Sequence, residues 1–405
     1  MLSVEQALDR ITGAMAPLPA EQISVAEGLG RVLAEDIVAR RTQPPAAMSA
    51  MDGYAVRAQD VAEVPATLKI VGQAPAGGAW QGMLGKGEAV RIFTGGPVPD
   101  GSDAVIMQEY TQAGDGTVTV LTGAPKGRFV RPAGLDFSEG DVLLRAGRLL
   151  TARDVALAAA MNMPWIMVHR RPRVAILVTG DEIVMPGDPI GPDQIVSSNS
   201  LGMAAMVTVF GGEPYILGIA PDDREALAAM AAGAKGADLL LTSGGASVGD
   251  HDLVQSVLGE IGFELGFWKI AMRPGKPLIF GHVGDTPVLG LPGNPVSALV
   301  CAILFLRPAL ARMLGMDASE SAHLLTVRLA EPLAENDERQ DYLRGALAND
   351  ENGELQVTPF TRQDSSMLNM LAQADCLVVR PPNAPALAAG ERVPVIPLPG
   401  GLSRA

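Results

Sequence analysis

The spacing of apolar residues changes character several times along the chain. Residues 1–15 place apolar side chains at helical spacing behind Ser3-Val-Glu-Gln6, a capping-box signature. Ser24-Val-Ala-Glu27 repeats that signature and predicts a second helix to about Leu33. After Pro44-Pro45 the period drops to two. Residues 68–71 (LKIV), 88–92 (EAVRI) and 117–121 (TVTVL) alternate between Gly and Pro breaks and predict a small β-rich unit that runs to about residue 136. A helix is expected from Thr151, before Pro164. From residue 174 the apolar runs become continuous: 174–178, 215–219, 238–242, 278–280 and 288–291 read as strands. Helical stretches are expected near 200–210, 222–236, 252–259 and 296–314. Strands that are apolar throughout and alternate with helices predict a parallel sheet covered on both faces, a three-layer α/β domain. Residues 319–405 return to short alternating strands (325–329, 376–379, 393–396) and predict a terminal β-barrel or sandwich.

Composition narrows the possible functions. The chain has 405 residues, 48% hydrophobic and 19% charged, which excludes intrinsic disorder and leaves room for roughly two to four domains. Against 31 Lys and Arg stand 45 Asp and Glu, a net charge of −14. A broad basic face for nucleic acid or an anionic membrane is therefore not expected, and an anionic ligand would need a local basic pocket. Two cysteines, Cys301 and Cys376, exclude a disulfide framework and a Cys-based zinc site and agree with a reducing, cytoplasmic setting. The apolar run at 296–306 is too short to span a bilayer, and Glu5 and Asp9 argue against a signal peptide.

Ligands of doubly wound sheets sit beyond the carboxyl ends of the strands, and four loops are expected there. They are Thr179-Gly180-Asp181-Glu182, the stretch from Ser243-Gly244-Gly245 to Asp250-His251-Asp252, the segment from Lys269 through Arg273 to Lys276, and Pro292-Gly293-Asn294-Pro295. The glycines of Ser243-Gly244-Gly245 can offer backbone N–H groups to an oxyanion. Asn294 is placed to cap the last helix with Pro295 at its first position, a second anion seat. Lys269, Arg273 and Lys276 add positive charge. Glu182, Asp250 and Asp252 add oxygen ligands, which suit Mg²⁺ better than zinc. Each alone reads at least as well as ordinary structure: a turn, a loop, a solvated stretch and a helix start. Their convergence would make a pocket for a phosphorylated ligand held with a metal ion.

Several stretches, in order, carry a family resemblance: Ser49-Ala-Met-Asp-Gly-Tyr-Ala55, Thr94-Gly-Gly-Pro-Val-Pro99, Thr179-Gly-Asp-Glu182, Ser243-Gly-Gly-Ala-Ser-Val-Gly249, Arg273-Pro-Gly-Lys-Pro277 and Gly290-Leu-Pro-Gly-Asn-Pro-Val-Ser297. Together they resemble the molybdopterin molybdenumtransferase (MoeA) family, related to the gephyrin E domain, over essentially the whole chain. The resemblance implies a multidomain α/β plus β subunit. An elongated helical linker domain (1–43 and 137–170) carries an inserted β-rich domain (44–136). A central three-layer parallel α/β domain (171–318) and a C-terminal β-barrel (319–405) follow. It implies a homodimer with the site shared between subunits, and insertion of molybdenum, from molybdate, into adenylylated molybdopterin with release of AMP and help from Mg²⁺. Molybdopterin adenylyltransferase and molybdoenzymes are the implied partners.

By the same resemblance Asp52 and Thr94 reach the partner's cleft, and Asp136 is a functional acid of the inserted domain. Glu182, Asp222 and Asp252 are acids of the α/β domain. Glu182 and Asp252 are assigned to metal and water positioning, with catalytic roles shared by Asp52 and Thr94. Ser243, Gly244, Gly245, Lys269, Arg273, Lys276 and Asn294 bind the substrate, while Pro292 and Pro295 shape the cleft. In the terminal domain the family's Gly-Ser loop reads Gln363-Asp364-Ser365-Ser366, so Asp364 adds negative charge beside the implied ligand residue Ser365. Two other readings are open. An adenylyltransferase for molybdopterin shares the α/β domain but not the other domains, and a scaffold of the same fold would not need Asp52, Glu182, Asp252 and the basic strip.

Overall fold

The computed structural model describes residues 1–244, 257, 259, 262–317 and 324–398. Its centre is a six-stranded sheet in the order Glu213–Ala220, Arg173–Thr179, Leu239–Ser243, Thr286–Leu291, Ile279–Val283, Phe263–Phe267. The first four strands are mutually parallel, as the continuous apolar runs imply. Strand Ile279–Val283 runs antiparallel to both neighbours. The cause is local: Val283 pairs with Thr286 across only Gly284 and Asp285, and Gly284 adopts φ 58°. A two-residue link makes a hairpin, since a parallel crossover needs a dozen residues or more.

Alternate residues of Arg173–Thr179 serve opposite cores. Val174, Ile176 and Val178 pack on one face with Leu241, Leu289, Val300 and Phe305, while Ala175 and Leu177 pack on the other with Leu227, Leu240 and Val288. Each such Val, Leu, Ile or Phe side chain contributes about 1.5–3 kcal/mol by leaving water, so the strand is anchored on both faces. Helices Asn199–Val209 and Arg224–Ala232 follow their strands. The helical run Pro295–Met313 is long and apolar enough to cross a membrane by length and composition, but 78% of its most apolar window is buried within the fold. Its middle, Ala302–Leu306, widens to a π-helix. Pro308 accounts for this, because it cannot donate to the carbonyl four residues earlier.

Helix Val4–Gly13 is closed by the expected Ser3–Gln6 capping box and lays Val4, Ala7 and Ile11 on the α/β core. The helix expected from Ser24 to Leu33 is not present. Ser24 caps only a single 3₁₀ turn, Val25–Glu27. Gly28 follows, Gly30 turns back at φ 70°, and Leu33 pairs with Val168. Strand pairing wins there because Leu33, Ile37, Leu144, Leu150 and Ile166 close a separate core. That core is framed by Ala20–Ser24 against Trp165–His169, Ile37–Val38 against Val142–Leu144, and the helix Ala152–Ala160. Asn162 ends the helix region at φ 65°, a backbone conformation Asn tolerates better than most residues.

Between these halves lies a six-stranded sheet in the order Ala104–Met107, Gly53–Val56, Glu88–Ile92, Ala66–Ala74, Thr117–Val120, Thr111–Ala113. The C-terminal strands Leu325–Leu329, Gln340–Asn349, Leu355–Pro359, Cys376–Arg380 and Arg392–Pro397 close into a barrel, since Gln340–Asn349 pairs on both sides and completes the ring. Met272–Arg273 of the α/β domain joins this barrel by pairing with Gln340 and Asp341. That short pairing sets the barrel against the carboxyl ends of the central strands.

Candidate functional site

A solvent-open cavity of about 720 Å³ lies where those strand ends meet the barrel. All four loops singled out from the sequence contribute to it. Thr179 and Glu182, Ser243 and Gly244, Arg273 and Lys276, and Pro292 to Asn294 line the wall, and Ser365 adds the barrel's contribution. Gly244 has to be glycine. Its φ is +97°, and a Cβ there would lie 2.3 Å from the Thr179 carbonyl oxygen. The loops are tied together by Asn199, whose Nδ2 donates to Ser243 Oγ at 2.9 Å and to the Gly293 carbonyl at 2.7 Å. Ser243 Oγ donates onward to the Pro292 carbonyl at 3.2 Å. The Ser243 hydroxyl is therefore spent on holding loops in register.

Asn294 also departs from expectation. Its side chain makes no cap to the helix it precedes. Instead Nδ2 donates to Ser365 Oγ at 2.9 Å, while the Val296 amide of that helix donates to the Ser365 carbonyl at 3.1 Å. One amide of the helix start is thus satisfied by the barrel, and Ser365 is fixed at the cavity wall. Pro295 occupies the first turn as expected.

The basic groups divide in two. Arg273 pairs with Asp341 and, at 3.4 Å, with Asp337, which is also held by Arg339 at 2.6 Å. The Arg339 hydrogen bonds hold the Asp337 carboxyl at about 2, well below the usual carboxylate value. Lys276 lines the same cavity without an ion-pair partner among the described residues. Lys269 does not line the cavity. Its ammonium lies 3.5 Å from the Trp268 ring centroid. Arg339 and Gln363 line the wall and were not singled out from the sequence. Only the closure of the barrel brings them there, and short-range spacing carries no signal of that.

Asp364 adds less unbalanced charge than its sequence position suggests. Its carboxylate accepts from the Ser366 amide and hydroxyl, and its carbonyl accepts from the buried Arg344 guanidinium at 2.9 Å. Those Ser366 bonds, then the Arg344 charge, hold its carboxyl below the usual value.

At the neighbouring strand end Asp222 stands beside Asp181 and Glu182. Its amide donates to Asp181 Oδ1 at 3.0 Å. Partial burial, then the two adjacent carboxylates, push the Asp222 carboxyl upward. Crowded hard-oxygen donors of this kind suit a divalent cation such as Mg²⁺. Among the described residues, however, no group of three or more His, Cys, Asp or Glu is arranged to hold one. Gly245, Asp250 and Asp252 lie outside the described residues.

The inserted-domain candidates sit elsewhere. Asp52 accepts from the Thr94 amide at 2.7 Å and from its hydroxyl at 2.8 Å, bonds that lower its carboxyl pKa, with Arg91 adding to the effect. Arg91 is itself held 5.0 Å from the ring centroids of both Tyr54 and Phe93. Asp136 is exposed in a turn after the inserted sheet. None of the three lines the cavity of its own chain.

An α/β domain with an open cleft at its strand ends, completed by a terminal barrel, defines the class: a multidomain α/β plus β protein with its cavity between those two parts. The comparisons with known proteins are specific. The MoeA N-terminal region (domain I and II) matches residues 2–162, the probable molybdopterin binding domain matches 175–312, and the MoeA C-terminal region (domain IV) matches 326–398. A molybdopterin molybdenumtransferase of Nostoc sp. is 38% identical over 91% of this chain and 87% of its own length. One from Haemophilus influenzae is 34% identical over 98% of both chains. The crystal structure of a molybdopterin biosynthesis MoeA protein from Pyrococcus horikoshii OT3 superposes with a TM-score of 0.84 at 28% identity, covering 98% of this chain and all of that one. The chain belongs to the MoeA family.

Proposed function

We propose that this chain is a molybdopterin molybdenumtransferase that takes adenylylated molybdopterin and molybdate, places the metal in the dithiolene and hydrolyses the adenylyl bond to release AMP. The observation that carries this reading is the single cavity shared by Glu182, Gly244, Lys276, Asn294 and Ser365. In a chain of net charge −14, Lys276, which has no ion-pair partner among the described residues, offers a cation where an anionic guest would enter. The Arg273–Asp337–Arg339–Asp341 network holds two guanidinium groups at the rim and is close to neutral overall.

Glu182, with Asp250 and Asp252, would hold Mg²⁺, which supplies charge neutralisation for pyrophosphate cleavage. Glu182 also orients the attacking water, and the Gly244 loop receives a phosphate through backbone N–H groups. A homodimer would bring Asp52 and Thr94 of the partner subunit to this cleft. That Asp52, Thr94 and Asp136 lie off the cavity within one chain supports a shared site. A cytoplasmic setting suits the free, buried Cys301 and Cys376. Molybdopterin adenylyltransferase would supply the substrate and molybdoenzymes would receive the product. Anaerobic incubation with adenylylated molybdopterin, molybdate and Mg²⁺ tests the reading. AMP release that depends on both molybdate and Mg²⁺ is expected, and no AMP release rejects it.

A further inference from the structure

Large apolar side chains are exposed at many points of the surface, and nearly all of them lie away from the cavity. Among the described residues Ile195 alone is both a strongly exposed large apolar side chain, at 58%, and part of the cavity wall. An aliphatic group in that position leaves water only when a guest covers it, and that transfer is favourable.

Ile195 belongs to a small ribbon. Ile183–Val184 and Ile195–Val196 run parallel, with Ile183 opposite Ile195 and Val184 opposite Val196. Successive side chains of a strand point to opposite sides, so the two isoleucines share one face and the two valines share the other. Both isoleucines line the cavity and neither valine does. Ile183 is half-buried and packs on the α/β core, which anchors the ribbon and leaves Ile195 presented to the open space. The Ile195 amide donates to the Glu182 carbonyl at 2.8 Å, and the Ser197 amide donates to the Val184 carbonyl at 2.8 Å. The ribbon therefore starts at Glu182, which lines the same wall.

The polar groups suited to phosphate or molybdate, Lys276, Asn294, Arg339 and Ser365, come from other elements. An oxyanion gains nothing from a pair of isoleucines. A ring system does, because its face can lie on them and both partners lose apolar area to water. We propose that Ile183 and Ile195 form an apolar seat for a ring of the substrate, adenine or pterin, separate from the groups that hold its phosphates. This rests on the reading that an adenylylated pterin enters the cavity. Ile195 makes the contact and is a specificity residue, favouring a ring-bearing guest over a bare oxyanion.

Ile195→Ser tests the seat, since a side chain this exposed contributes little to the fold. Calorimetric titrations use AMP, molybdopterin under anaerobic conditions, and inorganic pyrophosphate. Binding of AMP or of molybdopterin should weaken about 5- to 20-fold, the size of one lost aliphatic contact, and pyrophosphate binding should not change. Loss confined to AMP seats the adenine, loss confined to molybdopterin seats the pterin, and loss of both means that the seat takes either ring. Ile195→Leu should restore most of the affinity. Ile190→Ser, 56% exposed in the segment that joins the two strands but off the cavity, should bind all three ligands like wild type. Unchanged binding of both ring-bearing ligands by Ile195→Ser overturns the seat. Equal weakening of pyrophosphate, or an equal loss in Ile190→Ser, overturns it as well. Wild-type protein that binds neither AMP nor molybdopterin overturns the proposed function itself.

Discussion

Asp52 of the inserted domain and Asp222 of the α/β domain are both exposed carboxylates at loop positions, yet their surroundings drive them in opposite directions. Asp52 is locked by two hydrogen bonds from Thr94, with Arg91 nearby, and its ionised form is favoured. Asp222 is crowded by Asp181 and Glu182 on a partly desolvated strand end, and its ionised form is disfavoured. One loop is complete and holds its carboxylate ionised through hydrogen bonds of its own. The other stores repulsion that an incoming cation would relieve.

The strongest way to break this contrast is at the crowded end. Glu182→Ala should lower AMP release by about 100-fold or more, the scale for losing a group that acts on the reacting centre. Its melting temperature should stay close to wild type, because Glu182 is exposed. Lys276→Ala should weaken AMP binding by about 10- to 100-fold, since a charge-assisted contact contributes roughly 1.5–3 kcal/mol. Calorimetric titration checks this, and Arg273→Ala should do less to binding and more to the barrel's docking.

The pH dependence sharpens the comparison with smaller effects. A carboxylate lowered in the fold stabilises it above the ordinary value of 3.8 and loses that contribution as pH falls through its folded value. Asp52 and Asp337, the latter at about 2, belong to this group. Asp222 is raised, so its contribution is fully present below 3.8 and is lost as pH rises through its higher folded value. Asp52→Asn should therefore lower the melting temperature at neutral pH. Asp222→Asn should raise it slightly and should reduce any further rise on adding Mg²⁺. Thermal melts from pH 3 to 8, with and without Mg²⁺, read both signs in one series.

Much of this was visible in the sequence, for a physical reason. A loop that follows a continuous apolar strand and carries Gly with Asp or Glu is defined by its own neighbours, so Thr179 to Glu182 could be placed at a strand end without coordinates, whereas Arg273 to Lys276 precedes Ile279–Val283 and reaches that edge because this strand runs antiparallel. Contacts between distant segments could not. Asn294 looked like a helix cap, but its amide bonds Ser365, 71 residues away. Arg339 and Gln363 reach the cavity only because the barrel closes and pairs with Met272–Arg273. The capping signature at Ser24 is genuine and local, and it was overridden by Gly28, Gly30 and the pairing of Leu33 with Val168. Ser243 was recognised as a loop residue, but its partner Asn199 carried no signal beyond its place at a helix start.

The central claim is that separated loops make one pocket that holds the phosphates of an adenylylated guest beside molybdate. Its most direct test is a crystal structure of the protein soaked with AMP and molybdate, with the metal located by its anomalous scattering. The account predicts AMP phosphate against the Gly244 loop and molybdenum in the same cavity, within reach of Lys276. Either ligand bound reproducibly outside that cavity, with the pocket holding only water, would contradict it.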